Sequence, residues 1–169
     1  AATLYYGFAS LVGVNTGRIA QYTASACPPL LNWSGVINRL CKSINDEVFK
    51  QIKRLRPKVL IIHAAWYWGE YSLSQLFVTL STLKKSLPST TIVLLGSPPN
   101  WKESVVKTIL RYFNQFGRMP HSRTTFGLDD KGVKLANKQV KIIARKAGVA
   151  YFSIYDQLCN QKGCLLYTG

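Results

Sequence analysis

The residues able to do chemistry fall into three groups. Four cysteines form two close pairs, Cys27 with Cys41 and Cys159 with Cys164. Trp66, Tyr67, Trp68 and Tyr71 crowd one short segment, and the titratable candidates His63, His121, Asp129, Asp130 and Asp156 are scattered. An even cysteine count at short spacing fits two local disulfides, hence an oxidising compartment. Four cysteines could also close a zinc site, but there is no Cys-x-x-Cys and only two histidines, so the disulfide reading fits better. No serine, histidine and acid assemble into an acyl-transfer triad from these residues. Gly13-Val14-Asn15-Thr16-Gly17 is neither a dinucleotide fingerprint nor a Walker loop. The expectation is no metal and no cofactor.

Bland readings compete for most of these residues. His63 lies inside an apolar run and reads as a satisfied core histidine. His121 sits in the polar loop Met119-Pro120-His121-Ser122 and reads as surface. Asp129 and Asp130 suit the start of a helix, where the backbone dipole favours negative charge, and Asp156 suits a turn. The four aromatics either line a sugar or acyl pocket or cover the top of the core, and both readings stand.

Those residues are positioned by alternating elements. Ala1 to Val12 reads as a helix, Gly13 to Gly17 as a turn, and Arg18 to Thr23 as a strand ending in the loop Ser25 to Pro29. Ser43-Ile44-Asn45-Asp46 resembles a capping box opening a helix that buries Ile44, Val48, Ile52 and Leu55. Val59 to Ile62 is a continuous apolar run, as in a parallel strand covered on both faces. Ser72-Leu73-Ser74-Gln75 is a second capping signal, opening a helix whose Leu73, Leu76, Phe77, Leu80 and Leu83 keep the i, i+3, i+4, i+7 rhythm. Ile92 to Leu95 is the next strand, stopped by Gly96-Ser97-Pro98-Pro99. Asn100 and Glu103 cap a helix carrying Val106, Ile109, Leu110 and Phe113. Another helix buries Val133, Ala136, Val140, Ile143 and Ala147, Gly148 ends it, and Val149 to Phe152 starts a last strand. This alternation predicts one α/β domain with a mostly parallel sheet between helices and a site at the carboxyl ends of the strands. The loops at Thr23 to Pro29, Ala64 to Tyr71 and Gly96 to Asn100 are then the ones that matter.

The net charge of +15 invites polyanions. The stripe Lys134, Lys138, Lys141, Arg145 and the cluster Lys50, Lys53, Arg54, Arg56 are more simply solvated helix faces. No run approaches the roughly 20 apolar residues a membrane span needs. Ala1-Ala2-Thr3-Leu4 has no basic n-region and no Met, so the chain is expected to be part of a larger polypeptide.

Three segments together resemble the periplasmic SGNH (GDSL-like) domain of family 3 membrane O-acyltransferases, which O-acetylate lipopolysaccharide O-antigen and related glycans. They are Thr23 to Leu31 followed by Cys41, Lys58 to Trp66, and Tyr151 to Cys159 followed by Cys164. The resemblance implies a three-layer flavodoxin-like (SGNH hydrolase) sheet in the order 2-1-3-4-5, here lacking its first strand and last helix. It implies a nucleophilic serine in a Gly-Asp-Ser-His block before Ala1 and an Asp-x-x-His block after Gly169. No catalytic residue is then expected within this chain, a single incomplete domain. Ser25, Ala26, Ala65 and Trp66 are the candidates for the oxyanion or substrate wall, and Tyr67, Trp68 and Tyr71 for a glycan pocket.

The implied partners are a cell-surface glycan, an acyl donor and an N-terminal membrane acyltransferase domain, at the periplasmic face of the inner membrane, with no nucleic acid. A non-catalytic glycan-binding module is the alternative. A basic nucleic-acid-binding domain stands third.

Overall fold

The computed structural model describes residues 7, 10, 19–35, 37–68 and 72–168. The element order is α1 (Cys41–Leu55), β1 (Val59–His63), α2 (Leu73–Ser86), β2 (Thr91–Leu95), α3 (Val105–Phe116), β3 (Arg123–Thr124), α4 (Lys131–Lys146), β4 (Ala150–Phe152), α5 (Ile154–Leu158), β5 (Cys159–Asn160) and β6 (Gly163–Leu165). The main sheet runs β1-β2-β4, all parallel, with Val59 opposite Thr91 and Val93 opposite Ala150. That is the expected α/β architecture, with strands adjacent in chain order.

One face of this sheet is built by period-two side chains. Leu60, Ile62, Ile92, Leu94 and Tyr151 point to a core closed by Phe49 and Ile52 of α1, Leu76, Leu80 and Leu83 of α2, and Ala136, Val140 and Ala144 of α4. The stripe on α4 matches its sequence rhythm. The start of α2 also matches: Ser72 Oγ accepts from the Gln75 N–H and the Gln75 side chain closes the capping box. Both partners of this cap lie three residues apart in sequence, so this start is specified locally.

Several expectations are corrected. Val59 and Ile61, on the opposite face of β1, remain 53% and 39% exposed, so the strand is covered on one face and not on both. Residues 19–24 are irregular and join no sheet; an extended segment with no ladder beside it has nowhere to place its backbone hydrogen bonds. The helix α1 starts at Cys41, ahead of the expected box, and Ser43 Oγ donates to the Leu40 carbonyl at 2.8 Å instead of capping. Leu55 and Phe77 are exposed. Ser104, not Asn100 or Glu103, caps α3, and Val106, Leu110 and Phe113 lie in solvent, with Thr108 the fully buried residue of that helix. The expected helix over residues 1–12 is met at Gly7 and Ser10, whose backbone is helical; its other residues, and the turn over 13–17, lie outside the described residues.

Both disulfides are present. Cys27–Cys41 ties the loop over 24–31 to the head of α1, and Asn45 reinforces it by donating to the Pro28 and Leu30 carbonyls at 2.8 and 2.9 Å. Cys159–Cys164 joins opposed residues of a small antiparallel sheet, β3-β6-β5, which the sequence rhythm does not announce. Gly163 turns that hairpin at φ 113°, and a Cβ there would lie 2.4 Å from the Thr124 backbone, so only glycine fits.

Loop closure sets an expected order of stability effects. Cys27→Ser/Cys41→Ser should lose about 3 kcal/mol and Cys159→Ser/Cys164→Ser about 2 kcal/mol in urea unfolding, because the first pair closes the longer loop.

Candidate functional site

The carboxyl ends of β1, β2 and β4 converge on a rim whose shape is set by a buried polar clasp. The Trp66 backbone N–H, just past β1, donates to Ser97 Oγ at 2.9 Å. The Trp66 indole N–H donates to the Leu95 carbonyl at 2.7 Å. Ser97 in turn offers its N–H to Asn137 Oδ1 at 2.7 Å and accepts from Asn137 Nδ2 at 2.9 Å. Ser97 is fully buried and Asn137 nearly so, so each bond replaces one that water would otherwise make. The packing is close enough to require Gly96: a Cβ there would sit 2.4 Å from the Tyr151 hydroxyl.

Outside the clasp the rim becomes aromatic and polar. Tyr67 Oη donates to Asn100 Oδ1 at 3.1 Å, and the Trp68 ring meets Tyr67 edge-on at 6.1 Å between centroids while standing 77% exposed. A shallow open pocket of about 250 Å³ lies between this loop and α4, floored by Trp66 and Ala136 and flanked by Tyr67, Leu73 and Leu135. Gly132 keeps its wall low against the Tyr67 Cβ. Burial raises the Tyr67 phenol pKa, and Asp129 adds to the shift, so Tyr67 enters neutral chemistry as a hydrogen-bonding group.

Asp130 opens α4, but its carboxylate does not cap the helix. It accepts a short hydrogen bond from the Tyr155 hydroxyl and pairs with Lys134 at 2.8 Å, while the Lys134 ammonium stands over the Tyr155 ring. Burial pushes the Asp130 pKa up, and the hydrogen bonds from Lys134 and Tyr155 outweigh it, holding the carboxyl below its usual value. The trio pins α5 to the head of α4.

The expected site residues divide accordingly. Trp66, Tyr67 and Trp68 meet at the rim, with the exposed Ala65 between strand and aromatic loop. Ser25 and Ala26 form an exposed turn, where the Ser25 carbonyl accepts from Asn38 Nδ2 at 3.1 Å. Ala26 is left-handed at φ 50°, a conformation that costs a residue with a Cβ about 1–2 kcal/mol. Tyr71 lies outside the described residues. His63 is half-buried at the end of β1; its Nδ1 has no partner among the described residues, while the ring gains a backbone hydrogen bond at Leu95, so the expected core histidine is only partly satisfied. Burial lowers its pKa and keeps the ring neutral. His121 is exposed. Among the described residues no three His, Cys, Asp or Glu side chains gather as metal ligands.

The family model of the SGNH domain fused to AT3 domains matches residues 1–169, the whole chain. The chain belongs to that family. A solved structure similar to this SGNH domain is the Salmonella ser. Paratyphi A lipopolysaccharide acetyltransferase periplasmic domain. It superposes with a TM-score of 0.87 at 27% identity, over 100% of this chain and 68% of that one. Comparison with curated proteins finds no match. The residues that sequence reasoning missed in this SGNH domain are Ser97 and Asn137. A polar residue inside the apolar stripe of α4 was the available signal.

Two measurements check the rim. Asn137→Ala strips both partners from the buried Ser97 backbone and should cost about 2–4 kcal/mol in chemical denaturation. Asp130→Asn should reveal a pH-dependent loss. With a folded pKa below the unfolded one, the carboxylate stabilises the fold above about pH 4 and loses that effect as pH falls through the folded value. Wild type and variant should therefore differ at neutral pH and converge on acidification.

Proposed function

We propose that this SGNH domain is the scaffold of a periplasmic serine O-acyltransferase or esterase site that adds or removes acyl groups on cell-surface glycan of the O-antigen type. The observation that carries this is the likeness, at TM-score 0.87 over the whole chain, to the periplasmic domain of a lipopolysaccharide acetyltransferase. In the reaction, a serine hydroxyl attacks the acyl carbonyl of the donor, the donor's leaving group departs, and an acyl-serine forms. A glycan hydroxyl then takes the acyl group and the serine regains its proton.

On this reading the serine, acid and base are supplied by sequence adjoining residues 1–169, and the chain is one incomplete domain. The form of the main sheet supports it. Among the described residues β1 pairs only with β2. A parallel strand added on the free side of β1 would end beside the Ala64 to Trp68 loop, at the rim where such sheets hold their sites. Backbone N–H groups at Ser25, Ala26 and Ala65 are the proposed oxyanion wall. The Trp66 N–H is engaged by Ser97, so the part proposed for Trp66 is to position that wall. Tyr67, Trp68 and Tyr71 are proposed to stack on sugar. The acyl donor is delivered by a fused membrane acyltransferase domain, which places this domain at the periplasmic face of the inner membrane.

Extending the chain through its native flanking sequence and assaying acetyl-ester hydrolysis and acetyl transfer to glycan tests the assignment. Trp68→Ala should weaken glycan binding about tenfold, as expected for a lost aromatic contact, while leaving hydrolysis of a small ester unchanged. Glycan binding without any turnover by the extended domain would instead favour a non-catalytic binding module, for which the exposed Trp68 ring against Tyr67 beside the pocket is the supporting feature.

A further inference from the structure

The helix α3 is amphipathic in a way the fold does not use. Its inner side rests on the loop that follows β3. Thr108 is buried against Gly127, and Tyr112 meets Phe126 edge-on at 5.1 Å. The remaining apolar arc faces outward. Val106, Leu110 and Phe113, spaced i, i+4 and i+7, are 66%, 55% and 47% exposed. Three large apolar side chains on one exposed stripe exceed the scattered singles normal for a surface.

The charges around this stripe are of one sign. Lys107, three residues from Leu110, flanks it, and Lys102 and Arg118 are exposed just before and after the helix. The one carboxylate of the segment, Glu103, is held by Arg111 at 2.6 Å, so it does not offset them. We infer that α3 is an interfacial helix, laying Val106, Leu110 and Phe113 into the acyl boundary of an anionic phospholipid bilayer while Lys102, Lys107 and Arg118 meet the headgroups.

Charge and apolarity together select this occupant. A nucleic acid or acidic glycan would satisfy the cations but leave the stripe in water. A second copy would cover the stripe but bring one chain of net charge +15 against another. A membrane surface offers anions and hydrocarbon side by side, the setting in which basic amphipathic helices lie in the interface plane.

Flotation of the full 169-residue chain with sealed vesicles tests the inference. Vesicles of phosphatidylcholine and phosphatidylglycerol in equal parts should carry the chain upward, and vesicles of phosphatidylcholine alone should carry far less. Leu110→Gln/Phe113→Gln, at exposed positions that the fold does not need, should reduce binding about tenfold or more. Lys102→Gln/Lys107→Gln should reduce both binding and its sensitivity to salt. Absence of binding to the anionic vesicles, or wild-type binding by the Leu110/Phe113 pair, overturns the inference. A concentration-dependent dimer abolished by that pair also overturns it, since the face then belongs to a second copy. Repeating the assay with native flanking sequence attached decides between the bilayer and an adjoining segment: retained binding supports the bilayer, and lost binding assigns the face to that segment.

Discussion

The rim of this domain depends on a single buried exchange of hydrogen bonds between Ser97 and Asn137. Three elements that are distant in sequence meet there: the loop after β1 through Trp66, the loop after β2 through Ser97, and α4 through Asn137. Apolar packing brings α4 against α2 and the sheet, but such packing is non-directional and tolerates sliding. A paired donor and acceptor on one amide does not. The clasp therefore sets the height of the α4 head against the sheet edge, and with it the positions of Gly132, Leu135 and the Tyr67 loop that bound the pocket.

A second level of restraint holds the ends of the molecule. Cys27–Cys41 and Asn45 fasten the 27–30 loop to α1, and the Leu31 N–H reaches Thr79 Oγ1 on α2 at 3.0 Å. At the other end, the Tyr167 hydroxyl donates to the Pro120 carbonyl at 2.7 Å and the Leu166 N–H to that of Ser122. The covalent links suit an oxidising compartment. They also spare the sheet, whose described strands number three in the main ladder, from anchoring long peripheral loops by itself.

What could be read from the sequence was what local physics decides. The Ser72–Gln75 cap, the apolar rhythm of α4 and the runs at 59–62 and 92–95 each depend on residues within a few positions, and they stand where expected. Periodicity reports that a face is apolar without saying what lies against it. For that reason the run at 59–62 predicts cover on both faces of β1, whereas Val59 and Ile61 stand exposed. The small sheet escaped because strands of two or three residues carry no readable alternation. At the site, the aromatics and cysteines stood out by type, whereas Asn45 and Asn137 acquire their roles only through partners 15 to 40 residues away.

That separation has a kinetic consequence. The Ser97 and Asn137 partners are 40 residues apart, with all of α3 and β3 between them. Closing a loop of that size carries an entropy cost that nearby contacts do not. The rim thus takes shape only once the fourth helix has docked, and a nascent chain that has not reached that stage presents aromatic side chains with no cleft to line.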